Sequence, residues 1–267
     1  MHTVLSLELA HLQASGEIEL RLRRDLVEDL LAGTDPDSAH ARARALGYDL
    51  VRPHRVVIVS NGTQRINQAF FSAVRRAMRH TEVGSLLTGR SDGVIVLCHA
   101  DQDWERLRGD RIGPQGSCRV AVGGPCVEPC EYPRSYRQAQ LALRMQVATG
   151  SPEQVTVFDD LGIYQLLSQI SDMSTVDKFI HRWLGALISY DATKDAQLVD
   201  TLSAYLECGG NYDLTAKALS LHRSTLRYRL QRIREMSGHE LNDPDTRFHL
   251  QLATRAWTTV HALRELP

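Results

Sequence analysis

Residues 209–234 read GGNYDLTAKALSLHRSTLRYRLQRIR, and this stretch decides the reading of the C-terminal part of the chain. Gly209-Gly210 closes a preceding amphipathic run, Ala196 to Cys208, in which Leu198, Leu202, Ala204, Tyr205 and Leu206 fall on a helical period. A short helix is predicted over Tyr212 to Leu219, carrying Leu214, Ala216, Ala218 and Leu219, with Ala216 small enough for two helices to cross closely. Ser220-Leu221-His222 then makes a tight turn, with Leu221 as an apolar plug. A second helix runs from Arg223 to about Met236, its inward face carrying Leu226, Leu230 and Ile233 at spacings of four and three. Two short helices joined by a three-residue turn are a helix-turn-helix signature.

The other face of that second helix carries the chemistry. Residues 223–234 hold five arginines, Arg223, Arg227, Arg229, Arg232 and Arg234, and no Asp or Glu until Glu235. An ordinary surface helix interleaves acids at four-residue spacing, because like charges there repel. Repulsion left uncompensated within the helix is explained by an external polyanion, so double-stranded DNA is the expected partner. Guanidinium forks suit phosphates and guanine edges, and short hydroxyls allow close backbone approach. Residues at the start of such a helix face bases and later ones meet phosphates. The candidate DNA-binding set is His222, Arg223, Ser224, Thr225, Arg227, Tyr228, Gln231 and Arg232, with Arg223 to Tyr228 expected at bases and Arg232 at phosphate. His222, at the turn, serves either as a helix cap or as a phosphate contact.

Asp243-Pro244 sets up a final helix, with Asp243 as N-cap and Pro244 at the first helical position. Phe248, Leu252, Ala256, Val260 and Leu263 read as its inward stripe, with Trp257 beside it in the core. This helix is expected to buttress the reading head.

At Leu198 to Ala256 the sequence resembles the C-terminal DNA-binding domain of the PucR/CdaR, or sugar-diacid-type, bacterial regulators. The matching residues are Thr201-Leu202, Tyr205-Leu206, Gly209-Gly210-Asn211, Thr215 to Leu219, His222 to Leu230, Arg232-Ile233, Gly238, Leu241, Asp243-Pro244, Arg247 and Leu252-Ala253. The family usually has Asn where Ser224 stands, another short polar residue. The turn is also similar to that of Fis-like proteins, which implies a compact dimeric reader: a homodimer placing two recognition helices in successive major grooves, about 34 Å apart.

Further upstream the period changes. Leu5, Leu9 and Leu12, then Ile18, Leu22, Leu26 and Leu30, predict helix over 3–31, interrupted at Gly16. That helix is either a short dimerising coiled coil or packed on its own domain. Gly33-Thr34-Asp35-Pro36 stops it, and Ser38 to Leu46 forms another, ended by Gly47. Val56 to Val59 is a buried-strand run. Helix follows over 64–80, with Ile66, Phe70, Val74 and Met78 on one side. Val83 to Thr88 and Val94 to Cys98 are strands joined by the hairpin Gly89 to Gly93. A helix around Trp104, a strand at Cys118 to Gly123, a helix at Arg134 to Thr149 and a strand at Val155 to Phe158 complete an α/β block, and helices over 160–170, 175–189 and 195–207 follow.

Asp25 to Leu31, Ala43 to Gly47 and Arg52-Pro53-His54 resemble the same family's linker helices, and the α/β block resembles its degenerate GGDEF-like domain. The expected fold is therefore α+β and multidomain: N-terminal linker helices over 1–50, a GGDEF-like α/β sandwich over 51–160, connecting helices over 161–194, and an all-α helix-turn-helix domain over 195–267. Family members commonly carry a further N-terminal sensor domain that this sequence does not display, so a short member or a fragment is expected. A small-molecule effector of unidentified chemistry is a further expected partner.

The resemblance also raises nucleotide cyclase activity as an alternative. An active site of that kind needs carboxylates at the end of the first strand and in the hairpin, to hold divalent cations. Here the strand ends Ser60-Asn61-Gly62, and the hairpin offers Arg90-Ser91 followed by a lone Asp92. No nucleophile elbow, glycine-rich phosphate loop or zinc-ligand set appears elsewhere, so no catalytic residue, metal or cofactor is assigned. A DNA-binding architectural protein is the remaining class.

Composition bounds the rest. With 267 residues the chain exceeds what one core usually fills. A net charge of −1 argues neither for nor against nucleic acid, so local charge is what matters. The absence of a run of about 18 apolar residues or of a basic-then-apolar leader predicts no membrane span and no signal peptide. Five cysteines, odd in number and sparse, fit reduced thiols of a cytoplasmic protein, and the Cys126 to Cys130 pair has no second pair to complete a metal site.

Overall fold

The computed structural model describes residues 18–62, 66–80, 86–91, 93–102, 118–148, 155–170 and 173–264. The chain divides into two compact units, Met1–Leu161 and Gly162–Pro267.

The first unit is built on a five-stranded sheet: β1 (His54–Ser60), β2 (Leu86–Arg90), β3 (Gly93–His99), β4 (Arg119–Cys126) and β5 (Val155–Val157), in the order β2-β3-β1-β4-β5. All neighbours pair antiparallel except β4 and β5. Val56, Val57, Ile58 and Val59 are all fully buried, which explains why β1 reads as a continuous apolar run: helices cover both faces of the sheet. On one face Val56, Ile58, Ile95 and Leu97 pack with helices α1 (18–32), α2 (Pro36–Ala45) and α4 (Tyr132–Ala148). On the other, Val57, Val59, Val94 and Val96 pack against Val74 and Met78 of α3 (Gln68–His80), with Ile66 and Phe70 partly buried beside them.

Close approach explains two local features. A Cβ at Gly123 would stand 2.1 Å from the carbonyl oxygen of Ser135, so α4 lies directly on β4 there. The β1–β4 register shifts between Arg55 and Val57, and Arg55 faces Pro125, which has no N–H to give. Ser135 mends the ladder: its hydroxyl accepts from Val56 N at 3.1 Å and donates to Gly124 O at 2.7 Å.

Helix α1 answers part of the sequence alternative. Leu26, Val27, Leu30 and Leu31 are buried in the sheet core, so this half packs on its own domain, while Ile18, Leu20 and Leu22 are exposed. Residues 3–17, where the first leucine run falls, lie outside the described residues, as does the helix expected around Trp104. The start of α4 lies two residues earlier than expected, behind a 3-10 turn (Pro129–Glu131) whose Glu131 carboxylate accepts from Val127 N and Glu128 N at 2.7 and 3.1 Å.

The second unit is all helix: α5 (Ile163–Ser168), α6 (Met173–Lys194), α7 (Leu198–Glu207), α8 (Tyr212–Ala218), α9 (Arg223–Ser237) and α10 (Pro244–Arg264). The residues expected to be connecting helices contribute Val176, Ile180, Leu184 and Leu187 to the same core as Leu202, Leu226 and Leu230. Asp243 caps α10, accepting from Thr246 N at 2.8 Å. Its inward stripe agrees with the expected one at Ala256 and Val260 and departs from it at Phe248. Leu250, Ala253, Ala256 and Val260 are buried, whereas Phe248 is 63% exposed. Several stripes fit this helix's mixed sequence, and packing against α6 and α7 selects among them.

One polar tie links α1 to the β2–β3 hairpin. Glu28 accepts from Thr88 Oγ1 at 2.8 Å and from Arg90 Nε at 3.0 Å, and the Arg90 guanidinium sits 5.1 Å from the Tyr136 ring centre. Partial burial raises the Glu28 pKa, but hydrogen bonds from Arg90 and Thr88 outweigh this and hold the carboxyl below its usual range. A depressed carboxylate pKa stabilises the fold above the unfolded-state value and loses that contribution as pH falls through the folded one. Glu28→Gln should therefore cost about 1 kcal/mol at pH 7, discounted for solvent screening of this part-exposed pair. The gap from wild type should narrow at pH 3 in denaturant titrations; an equal gap at both pH values contradicts this role.

Candidate nucleic-acid interface

Consecutive caps build the site. Helix α7 ends in a Schellman motif: Gly210 N donates to Tyr205 O at 2.8 Å and Gly209 N to Leu206 O at 3.0 Å, with both glycines at positive φ. Asn211 then caps α8, its Oδ1 accepting from Asp213 N and Leu214 N at 2.9 and 3.0 Å. Helix α8 ends in the same motif, with Leu221 N donating to Ala216 O at 2.9 Å and Ser220 N to Lys217 O at 3.2 Å. Here Ser220 takes the left-handed position, at φ 53°, where glycine is usual. His222 caps α9: its Nδ1 accepts from Ser224 N at 3.4 Å and lies 2.8 Å from Ser224 Oγ. Gly238, at φ 67°, closes α9.

Leu226, Leu230 and Ile233 are fully buried, as the spacing requires, and Ala216 is buried where α8 crosses α9. Leu221 is half-buried and Leu214 is 56% exposed, so the turn is held by its hydrogen bonds and by Ala216 more than by an apolar plug.

The five arginines of α9 divide into two groups. Arg223 and Arg227 are exposed, together with His222, Ser224, Thr225, Tyr228 and Gln231, and Tyr228 is 67% exposed. Arg229, Arg232 and Arg234 are half-buried and engaged by the surrounding helices. Arg229 donates to Thr201 Oγ1 and Arg234 to Tyr212 Oη, each at 3.1 Å. Arg232 lies 5.4 Å from the Tyr190 ring centre and 3.3 Å from Glu235. Among the expected site residues, His222 through Gln231 thus form one continuous solvent-facing surface, while Arg232 sits on the flank turned toward α6.

Two carboxylates reach this surface. Asp213, on α8, pairs with Arg223 at 3.0 Å, and Glu235 accepts from Gln231 Nε2 at 3.0 Å. Both are solvent-exposed pairs of the kind that contribute little and exchange readily with a competing anion. Arg227 makes no hydrogen bond or ion pair among the described residues. That Tyr190, Thr201 and Tyr212 position arginines is not legible in the sequence, because all three lie outside α9. A hydroxyl or ring that positions an arginine leaves no mark in the local charge pattern.

The comparisons with known proteins bear on this geometry. Residues 198–256 match the PucR C-terminal helix-turn-helix domain, and residues 32–145 match the GGDEF-like domain. The chain belongs to the PucR/CdaR family of transcription regulators. Among this family's relatives, the purine catabolism regulatory protein of Bacillus subtilis is 24% identical over 277 residues, covering 94% of this chain and 52% of that protein. The carbohydrate diacid regulator of Escherichia coli K12 is 28% identical over 264 residues, covering 92% of this chain and 67% of that protein. The B. subtilis transcriptional activator AdeR is 28% identical over 134 residues, covering 50% of this chain and 32% of its own length. The chain thus spans about half the length, or less, of the first two B. subtilis relatives. A solved regulator of polyketide synthase expression from Bifidobacterium adolescentis aligns over 92% of this chain and 99% of its own, at 18% identity and a TM-score of 0.44.

In this member of the family, among the described residues, no helix is long and apolar enough to cross a membrane, and no three His, Cys, Asp or Glu side chains are grouped to hold a metal ion. Burial pushes the Cys126 thiol up to about 11, and Cys130, exposed, is a free thiol apart from it.

The Ser220 turn sets the angle between α8 and α9, and an L-residue there carries roughly 1–2 kcal/mol of strain. Ser220→Gly should leave stability unchanged or raise it by up to about 1 kcal/mol, part of the relief being offset by the greater freedom of glycine in the unfolded chain. Ser220→Val, β-branched, should lower it by about 1–2 kcal/mol. Thermal unfolding followed by circular dichroism reads both; a valine variant melting with wild type would refute the strained turn.

Proposed function

We propose that this chain is a sequence-specific, cytoplasmic DNA-binding regulator whose α9 enters the major groove, acting as a homodimer. The observation that carries the reading is the exposed surface from His222 to Gln231, set at the start of a helix capped at both ends and holding Arg227 with no partner among the described residues. Arg227, Ser224, Thr225 and Tyr228 meet base edges. Arg223 leaves Asp213 for the duplex, an exchange that an exposed ion pair permits at little cost. Gln231, held by Glu235, reaches the groove wall, and Arg232 adds charge to the flank facing one strand. The relatives named above are transcription regulators, which supports the same reading.

The sheet unit serves assembly and effector response rather than catalysis. At the hairpin, where a cyclase needs carboxylates for its cations, this chain puts Arg90, and Glu28 holds that cation in place. A small-molecule effector would act by changing how two reading heads are presented.

Arg227→Ala should weaken binding to a specific duplex by about 1–3 kcal/mol, and should do less on random sequence. A fluorescence-anisotropy titration in which the variant matches wild type on both duplexes contradicts the role. An architectural protein is separated by the same assay: a regulator prefers its site over random DNA by at least about a thousandfold.

A further inference from the structure

The turn Gly209-Gly210-Asn211 and Arg247 do more than close helices. Gly210, at φ 82°, has no side chain where a Cβ would stand 3.0 and 3.3 Å from the two terminal nitrogens of Arg247 and 3.4 Å from Tyr205 Oη. The Arg247 guanidinium therefore lies against the bare backbone of the turn. From α9, Arg234 donates to Tyr212 Oη, and the Tyr212 ring meets Tyr205 edge-on with centres 5.5 Å apart. Burial raises the Tyr205 pKa, and Arg234 and Arg247 both pull it back, so the two cations act on one hydroxyl. Neither arginine has a carboxylate partner among the described residues. One half-buried arginine thus donates to a neutral hydroxyl and the other lies beside a glycine turn, and among the described residues no anion pairs with either.

Position on α9 says which anion fits. At about 100° per residue, Arg223, Arg227 and Arg234 fall within roughly 40° of one another, on the flank facing α8. Arg234 lies about 10.5 Å beyond Arg227 along the axis, at 1.5 Å per residue. The cluster thus extends the exposed cationic edge of the reading helix toward the glycine turn, where a groove-bound helix runs alongside a sugar-phosphate strand.

We propose that Arg234 and Arg247, which converge beside Gly210, form a phosphodiester-binding site that clamps the DNA backbone beside the groove. Two guanidiniums give a phosphate forked, charge-assisted hydrogen bonds, and a side chain at position 210 would occupy the space that keeps Arg247 there. The site rests on the DNA-binding reading and supplies affinity without sequence preference.

The test uses the full chain and a fluorescein-labelled 25-base-pair duplex of random sequence, with binding constants read by anisotropy across a salt series. Arg234→Gln and Arg247→Gln should each flatten the log K against log[salt] slope by about 0.9, which is on the order of an eightfold loss at 0.1 M salt. Losses should be equal on every duplex sequence. Arg247→Lys keeps the charge and should restore the slope, and Tyr212→Phe, which removes only a hydroxyl, should leave it unchanged. Melting temperatures are read alongside, and a glutamine variant that melts early is replaced by methionine, which keeps an apolar stem. If wild type binds with a steep slope and both charge-removing variants retain it, the clamp is overturned while the DNA-binding reading stands. If wild type binds no duplex, both fall. A loss reproduced by Tyr212→Phe assigns Arg234 a structural role and overturns its part in the clamp.

Discussion

The burial of Leu226, Leu230 and Ile233 is the constraint on which the functional surface depends. Each fully buried aliphatic side chain contributes roughly 1.5–3 kcal/mol, and together they fix the rotation of α9 about its own axis. Once that rotation is fixed, the arginines have no freedom over which way they point. Arg223 and Arg227 go to solvent, Arg234 goes toward Tyr212, and Arg229 and Arg232 go toward Thr201 and Tyr190. The caps at Asn211, Ser220, His222 and Gly238 set where each helix begins and ends, so stripe and caps together determine both register and direction of the reading face.

The sheet unit follows a different logic. There the buried run Val56 to Val59 of β1 sets the architecture, because a strand apolar on both faces requires a helical layer on each side. Its polar groups are repairs and ties: Ser135 mends the ladder beside Pro125, and Glu28 fastens α1 to the hairpin. Arg90, which departs from what a cyclase needs, is thereby structural, tied to α1 and stacked near Tyr136.

Much of this was legible in the sequence, for reasons that can be named. The α9 stripe, the Asp243 cap, the glycine punctuation at 209, 210 and 238 and the run Val56 to Val59 are local signals, each complete within a few residues. What was misjudged depends on distant partners. The α10 stripe is legible at Ala256 and Val260 but not at Phe248, because a helix sequence with apolar residues on several sides does not say which neighbour it will meet. Leu221 was expected to be buried, whereas backbone hydrogen bonds hold the turn. No acid stands along α9 before Glu235, but the fold brings Asp213 to Arg223 from α8 and turns three arginines onto hydroxyls and a ring. The cationic surface is therefore narrower than five arginines suggest, and more sharply directed.

That direction is most directly tested by selecting bound duplexes from a random pool with the full chain. The account predicts an enriched motif of two related half-sites whose centres lie about 10–10.5 base pairs apart or a multiple of that. It also predicts that the Arg227→Ala chain loses preference at one position in each half-site while keeping the spacing. A pool that emerges unenriched, or a motif that Arg227→Ala leaves intact at every position, would contradict the account.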